Sequence, residues 1–263
     1  MNDIRFFVLL LGFLTLSYAG SAQVQSTPVS DPKALALAFQ SLTAITGGAS
    51  IGDVTLMANV TSMAGSDLQT GTATLRAKGF LEGRIDLNLS GGQRSEVRNN
   101  SGGLLRGAWS GTSAIAHSVA LHNCLTDGSW FFVPLSSLSA ALSNSNVILS
   151  YLGPVSSGGR TFEHLQSYLY VAGLPVVAQL STMDFYLDST TLLPIVVSFN
   201  IHPDNDFGTN IPVEIDFSQY QAINGVQVPR HIQRFVQGTV VLDLGITSAA
   251  FNSGLSDTLF SIP

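Results

Sequence analysis

One serine in this sequence lies in a pattern that hydrolases use to present a nucleophile. The segment Gly48-Ala49-Ser50-Ile51-Gly52 fits Gly-x-Ser-x-Gly, which needs a strand before the serine and a helix after it. Here the apolar periodicity predicts the reverse order, a helix before and a strand after. We therefore interpret the segment as a loop that ends a helix, without a catalytic role.

Two further groups contain residue types that bind metal ions. His117, His122 and Cys124 are spaced His-x₄-His-x-Cys, which matches no common structural zinc site, and on a helix the two imidazoles would point about 140° apart. The segment 202–206, His-Pro-Asp-Asn-Asp, lacks the glycine and the distant glutamate of a calcium loop, and ordinary turn chemistry explains its composition. We predict no metal site and no cofactor.

Paired carboxylates are scarce. Asp184 and Asp188 fall on the polar face of one predicted strand, about 13 Å apart, which exceeds the separation that glycosidases use. The sequence therefore predicts no catalytic residues and a protein that is not an enzyme.

The first 22 residues are predicted to be a cleaved signal peptide. Arg5 precedes an apolar run over 6–16, and small residues follow at Gly20-Ser21-Ala22. Eleven apolar residues are too few for a helix that spans a bilayer, which needs about 20. We expect an exported protein, periplasmic or secreted, without a transmembrane anchor after cleavage.

The amino-acid composition and net charge limit the kinds of molecule that this protein is expected to bind. Charged residues make up 11% of the 263-residue chain and the net charge is −6, against about 25% charged residues in ordinary globular proteins. The absence of a basic cluster argues against nucleic acid. Cys124 is the single cysteine, so no internal disulfide can form.

Alternation of apolar and polar residues predicts strands over most of the mature chain, because a period of two gives a sheet one packed face and one wet face. Asp31 or Ser30 and Pro32 predict the start of one helix over 32–46, which ends at Gly47-Gly48. Its predicted apolar stripe is Leu35, Ala38, Phe39, Leu42 and Ile45. Strands are predicted at 54–60, 70–78, 84–89, 94–99, 104–109, 162–171, 183–188, 195–201, 213–218 and 240–246.

The middle of the chain is less regular. Residues 113–123 and 135–142 are predicted to be helical, and 156–159 is predicted to be a flexible connection. Asn224-Gly225 and Gln237-Gly238 predict hairpin turns. No internal repeat or long linker divides the chain, so residues 23–263 are predicted to form a single domain.

This order of elements resembles the superfamily of periplasmic outer-membrane lipoprotein carriers (LolA-like proteins). The local matches are 71–75 (Gly-Thr-Ala-Thr-Leu), the segment from Phe185 to Asp188, the Asp-x-x-Thr-x-Leu-Pro hairpin from Asp188 to Pro194, and the closing segment 259–263. The resemblance implies a mainly β (α+β) fold: a single curved antiparallel sheet, or half-barrel, of about ten to eleven strands with an N-terminal helix and a short helical lid.

The resemblance also implies an arginine on the sheet that holds the lid closed. No motif identifies its counterpart, and the candidates in the first half of the sheet are Arg76, Arg84, Arg94, Arg98 and Arg106.

Aromatic residues either line a ligand cavity or fill the core. The sequence leaves both interpretations open. The candidate cavity residues are Trp109, Phe131, Phe132, Phe185, Phe199 and Phe217.

Together these observations predict a non-catalytic exported binding protein that holds a lipid, an acyl chain or another apolar ligand between the curved sheet and its lid. The possible partners are lipids, lipoprotein acyl chains or an envelope protein. The alternative is a structural or protein-interaction module of the cell envelope, including an envelope-sensing role, with a filled core.

Overall fold

The computed structural model describes residues 27–101, 103–113, 115–126 and 128–262. The predicted signal peptide, residues 1–22, lies outside the described residues. Thirteen strands form one antiparallel sheet in the order β6-β5-β4-β3-β2-β1-β13-β12-β11-β10-β9-β8-β7. The strands are β1 Asp53–Ala64, β2 Asp67–Lys78, β3 Glu82–Leu89, β4 Gly92–Ser101, β5 Leu104–Ser110, β6 Ala116–Ser118, β7 Val147–Ser157, β8 Arg160–Leu169, β9 Met183–Asp188, β10 Pro194–Ile201, β11 Ile211–Ile223, β12 Val226–Val236 and β13 Thr239–Phe251.

The helices are few and mostly short. They are α1 Pro32–Thr46, α2 Ser137–Ala140 and α3 Pro175–Leu180, with 3₁₀ turns at Leu121–Cys124, Val133–Leu135 and Asp257–Phe260. No helix in the described ranges is both long enough and apolar enough to cross a membrane.

The first and last strands along the chain are neighbours in the sheet. β1 pairs antiparallel with β13, from Val54 opposite Phe251 to Ser62 opposite Leu242. The chain runs outward from β1 to the edge strand β6, crosses to the opposite edge at β7 and returns strand by strand to β13, and the sheet is not closed. This confirms the predicted curved antiparallel sheet and corrects its size to thirteen strands from about ten to eleven.

Helix α1 begins and ends at the predicted residues. The Asp31 carboxylate accepts a hydrogen bond from the Lys33 N–H at 2.7 Å, and Gly47, at φ 63°, donates its N–H to the Thr43 carbonyl. The buried stripe differs from the predicted one, because Ala34, Ala38, Ser41 and Ile45 face the sheet and Phe39 is 63% exposed. Small side chains on this stripe let the helix approach the sheet closely.

The core lies between the inner face of the sheet and a cover made of α1 and residues 129–141. Inward-facing residues of the strands alternate with polar outward ones, as in Val54, Leu56, Ala58 and Val60 of β1. The cover contributes the buried side chains of Trp130, Phe131, Phe132 and Leu138 to this core.

Two predictions for the middle of the chain are wrong. Residues 113–123 contain the short strand β6 and the start of a 3₁₀ turn rather than a helix, because Ala116–Ser118 pairs with the end of β5. The segment 156–159 is the end of β7 and its hairpin turn, with Ser156 opposite Thr161 and Gly158-Gly159 at positive φ. Residues 135–142 are helical only in part, over α2 and the preceding 3₁₀ turn.

Candidate functional site

Five of the six predicted cavity aromatics lie in the packed core. Phe131, Phe132, Phe185, Phe199 and Phe217 are each at most 4% exposed and belong to one apolar cluster. The space left beside Phe131, Phe132 and Phe217 is about 10 Å³, roughly what one water molecule requires. Phe131, Phe132 and Phe217 therefore leave no room for a ligand between them. Phe199, although buried, also lines a separate depression of about 270 Å³ at β10 and β11.

The sixth aromatic, Trp109, lines a separate cavity of about 510 Å³ on the inner face of the sheet, which we call the inner cavity. Its volume falls within the 300–1,000 Å³ that is typical of small-molecule sites. The apolar side chains of its wall come from β3, β5, β12 and β13. They are Ile85, Leu87, Trp109, Val236, Val241 and Leu242.

Curvature of the sheet brings these strands together. β3 and β13 are separated by β1 and β2 in the sheet, yet Leu87 and Leu242 line the same cavity. A β-bulge adds to the wall, because Arg234 pairs with Leu242 and Phe235 with Val240, which leaves Val241 as the extra residue. Bulges bend a strand and change where its side chains point.

The register of β3, β4 and β5 places charged side chains on the same inner face. Leu87 is opposite Arg94, and Ile85 is opposite Glu96; residues directly opposite in an antiparallel pair lie on one face of the sheet. Glu96 is in turn opposite Trp109. Arg94 and Glu96 therefore belong to the wall of the inner cavity, as does Arg234.

Two of the three charged side chains interact with buried groups. Glu96 Oε1 is 3.0 Å from Arg98 Nη2, whose side chain is 7% exposed. The Arg234 guanidinium lies 5.2 Å from the centre of the Trp130 ring, so it marks the boundary between the packed core and the inner cavity. The third, Arg94, lies 3.9 Å from Asp67 Oδ2.

Trp109 forms the rim of the inner cavity. It is 47% exposed, and one face of its indole stacks on the His117 ring with centroids 4.4 Å apart. An exposed tryptophan held by such a stack offers a flat apolar surface at the entrance.

A second, polar depression adjoins the first. It has a volume of about 600 Å³, and we call it the outer groove; Thr72, Thr74, Arg76 and Asn88 are among its lining residues. Arg76 and Arg84 both pair with Asp86 there, at 2.8 and 2.9 Å. The two depressions share a wall made of Leu87, Arg94, Ser95, Ser110, Gly111 and Thr112.

The other candidate residues lie apart from the inner cavity. The loop of Ser50 follows α1 and is tied to the Asn252 side chain, which accepts from the Gly52 N–H and donates to the Ser50 carbonyl. Within the described ranges, no histidine is hydrogen-bonded to Ser50.

The histidine and cysteine residues considered as metal ligands do not lie at one site. His117 stacks on Trp109, His122 packs edge-on against His202, and Cys124 is buried. Among the described residues, no group of three or more His, Cys, Asp or Glu side chains is placed to hold a metal ion.

The segment 202–206 forms a turn. The Asp206 carboxylate accepts from the Gly208 N–H and the Thr209 hydroxyl at 2.9 and 2.6 Å, and these bonds lower the pKa of Asp206 below its usual value. Asp184 and Asp188 pair separately, with His164 and Arg160.

Most of the wall of the inner cavity is not identifiable from the sequence. Ile85 and Leu87 were visible as the apolar face of a strand, but the same pattern is expected of a core strand. Arg94 and Glu96 look like solvent-facing residues until the register shows that they lie opposite Leu87 and Ile85. Only pairing between strands carries that information.

Solved structures resemble this fold over nearly its whole described length. A domain from Vibrio parahaemolyticus named for outer membrane lipoprotein sorting matches with 13% identity and a TM-score of 0.53, covering 87% of this chain and 96% of that one. A DUF1329 family protein from Desulfovibrio piger matches with 13% identity and a TM-score of 0.52, covering 90% and 98%. A LolA superfamily protein from Nitrosomonas europaea matches with 9% identity and a TM-score of 0.50, covering 87% and 97%.

No protein-family model and no curated protein matches the sequence. The structural matches confirm the predicted resemblance at the level of fold: this chain has a LolA-like fold. At such low identity the likeness concerns the fold alone, so the function has to be argued from the site.

Proposed function

We propose that this protein is an exported, non-catalytic binding protein that holds a lipid, an acyl chain or a similar apolar ligand in the inner cavity. Its location would be the periplasm or the exterior, if residues 1–22 direct export. The observation that carries the proposal is a cavity of about 510 Å³ with six apolar side chains in its wall and an exposed tryptophan at its rim.

The energetics favour a flexible apolar chain as the ligand. Transfer of each methylene from water into an apolar site contributes about 0.8 kcal/mol, so a long acyl chain needs few specific polar contacts. Leu87, Val236 and Val241 are only partly buried without a ligand, and they would lose their remaining contact with water when a chain binds. The fold is consistent with this use, because one structure with a similar fold is named for outer membrane lipoprotein sorting.

A variant that fills the inner cavity tests the proposal. Titration with myristate or with its glycerol ester, monomyristin, should change the fluorescence of Trp109, while the buried Trp130 supplies a constant background. Val241→Phe places a ring in the cavity and should weaken binding of both ligands at least tenfold.

Val155→Phe is the matched control, since Val155 lies on β7, away from the inner cavity, and is 38% exposed. It should bind as the wild type does. Equal binding by wild type and Val241→Phe, or no response of the wild type to either lipid, contradicts the proposal.

A second candidate function is a protein-interaction module of the envelope. Two observations favour it: the aromatic core beneath the cover is filled, and Phe39 and Leu142 are exposed along a groove beside α1. This candidate predicts no fluorescence response of Trp109 to either lipid, so the same titration separates the two functions.

A further inference from the structure

The inner cavity differs in charge from the rest of the molecule. The whole chain has 17 acidic and 11 basic residues, yet the charged side chains that line the cavity are two arginines and one glutamate. The glutamate, Glu96, already pairs with Arg98 at 3.0 Å. The described residues therefore give this cavity a positive character within an acidic protein.

Arg94 is a cation of this wall that a ligand could reach. Its side chain is 32% exposed, and its charged neighbour in the described structure, Asp67, lies at 3.9 Å and is 56% exposed. That distance is too long for a hydrogen bond, and Asp67 Oδ2 accepts a closer one, 2.7 Å, from Gln69. By contrast, Arg76 and Arg84 both lie within 3 Å of the Asp86 carboxylate.

The surroundings of Arg94 are apolar on one side and polar on the other. In the inner cavity it is opposite Leu87 and close to the rim formed by Trp109. The same residue, with Ser95, Ser110 and Thr112, forms the wall shared with the outer groove. A guanidinium at such a boundary can bind a carboxylate or phosphate through two parallel hydrogen bonds.

We infer that the ligand of the inner cavity is an anionic amphiphile, whose acidic head binds Arg94 while its chain lies along Leu87, Trp109 and Val241. This inference rests on the proposed function and adds the chemical class of the head group. The chain supplies apolar affinity, and the ion pair with Arg94 selects acids over neutral lipids.

Paired ligands that differ only in the head group test the inference. Myristate and monomyristin have the same acyl chain, but only myristate carries a charge at neutral pH. In a Trp109 fluorescence titration, wild type should bind myristate at least tenfold more tightly than monomyristin. Arg94→Gln should lose that preference and retain its affinity for monomyristin.

Arg106→Gln is the matched control. Arg106 is an exposed arginine of β5 that does not line the inner cavity, and this variant should keep the preference for myristate. Acetate, which has the head group without the chain, should not displace myristate at millimolar concentration.

The results separate failure of the inference from failure of the proposed function. Equal affinity of wild type for the two lipids, an unchanged preference in Arg94→Gln, or displacement by acetate overturns the anionic amphiphile while leaving an apolar site. Absence of binding by both lipids overturns the binding function itself.

Discussion

At the scale of single residues, Asp188 explains the sequence motif that ran from Asp188 to Pro194. Its carboxylate accepts hydrogen bonds from the backbone N–H groups of Thr190 and Thr191 and from the Thr191 hydroxyl, and it pairs with Arg160 at 2.7 Å. The Thr191 bond and the Arg160 pair lower the pKa of Asp188 to about 2. The motif is therefore a folding signal for the β9–β10 hairpin.

Asp188→Asn should lower the free energy of unfolding by about 2 kcal/mol at pH 7, because a shift of one pKa unit corresponds to about 1.4 kcal/mol. The folded-state pKa is depressed, so this stabilisation is present above pH ~4 and is lost as the pH falls toward 2. Urea unfolding at pH 7 and pH 3 measures the difference. Asp204→Asn, in an exposed loop, should change little, and an equal loss in both variants would contradict the role given to the hairpin.

The pKa of Asp216 is shifted in the opposite direction to that of Asp188. Burial, and then the nearby Glu214 charge, raise the pKa of Asp216 to about 6. Gln233 is opposite both Asp216 and Asp243 in the sheet, but its amide donates to Asp243 at 2.6 Å. Asp216 Oδ1 is buried, and in the described structure it accepts no hydrogen bond.

Asp216→Asn should therefore stabilise the fold by about 1–3 kcal/mol at pH 7. Because the folded-state pKa of Asp216 is raised, the wild type loses stability as the pH rises from about 4 through 6. The advantage of Asp216→Asn over the wild type should therefore disappear below pH ~4. Asp243→Asn, on β13, is the matched variant. It should lower the free energy of unfolding at pH 7, because Asp243 pairs with His231 at 3.0 Å in addition to its bond from Gln233. Chemical denaturation of both variants over this pH range gives the sign, and a loss of stability in Asp216→Asn would refute the assignment.

At the scale of elements, the segment after β13 is held against the outer face of the sheet at two places. Asp53 at the start of β1 accepts from the N–H groups of residues 253–255 and from the Ser253 hydroxyl. Burial would raise the pKa of Asp53, but these bonds lower it below its usual value. Further along, Phe260 packs fully buried on Val97 and Ala108.

Phe260→Ala should destabilise the protein by about 3 kcal/mol, the usual cost of removing a buried phenyl ring. The Asn99 side chain would also lose part of the support for its 2.8 Å bond to the Phe260 carbonyl. Leu104→Ala, at a residue that is 59% exposed, should change stability by less than about 0.5 kcal/mol. Thermal unfolding measures both, and matching midpoints would show that this segment does not contribute to the fold.

Elements with a regular pattern were predictable and irregular ones were not. The alternation in Met183–Asp188 and the caps of α1 depend on residues close in sequence, and both elements formed where predicted. Strand β7 was missed because Gly153 and Pro154 interrupt its alternation, and Gly153 marks a register shift against β8. Strand β6 has three residues and exists only because β5 offers it a partner.

At the scale of the whole molecule, curvature decides where a ligand could bind. The cover of α1 and residues 129–141 fills the inner face beside β11 and β12, where Phe217 lies. The inner cavity is left beyond that cover, between β3–β5 on one side and the β12–β13 hairpin on the other. The signal peptide and the single domain over 23–263 stay predictions, and protease mapping of the exported protein can test both.

The sequence by itself determined much of the strand-rich architecture, the first helix and several turns, because periodicity and capping are local properties of the chain. It could not distinguish a core phenylalanine from a cavity phenylalanine, since both need the same apolar side chain on the same strand face. Only the tertiary structure decided that Phe185 and Phe217 are packed while Trp109 is open. The reason is that strand register and sheet curvature, which bring Arg94, Leu87 and Val241 to one cavity, arise from pairing between segments far apart in sequence.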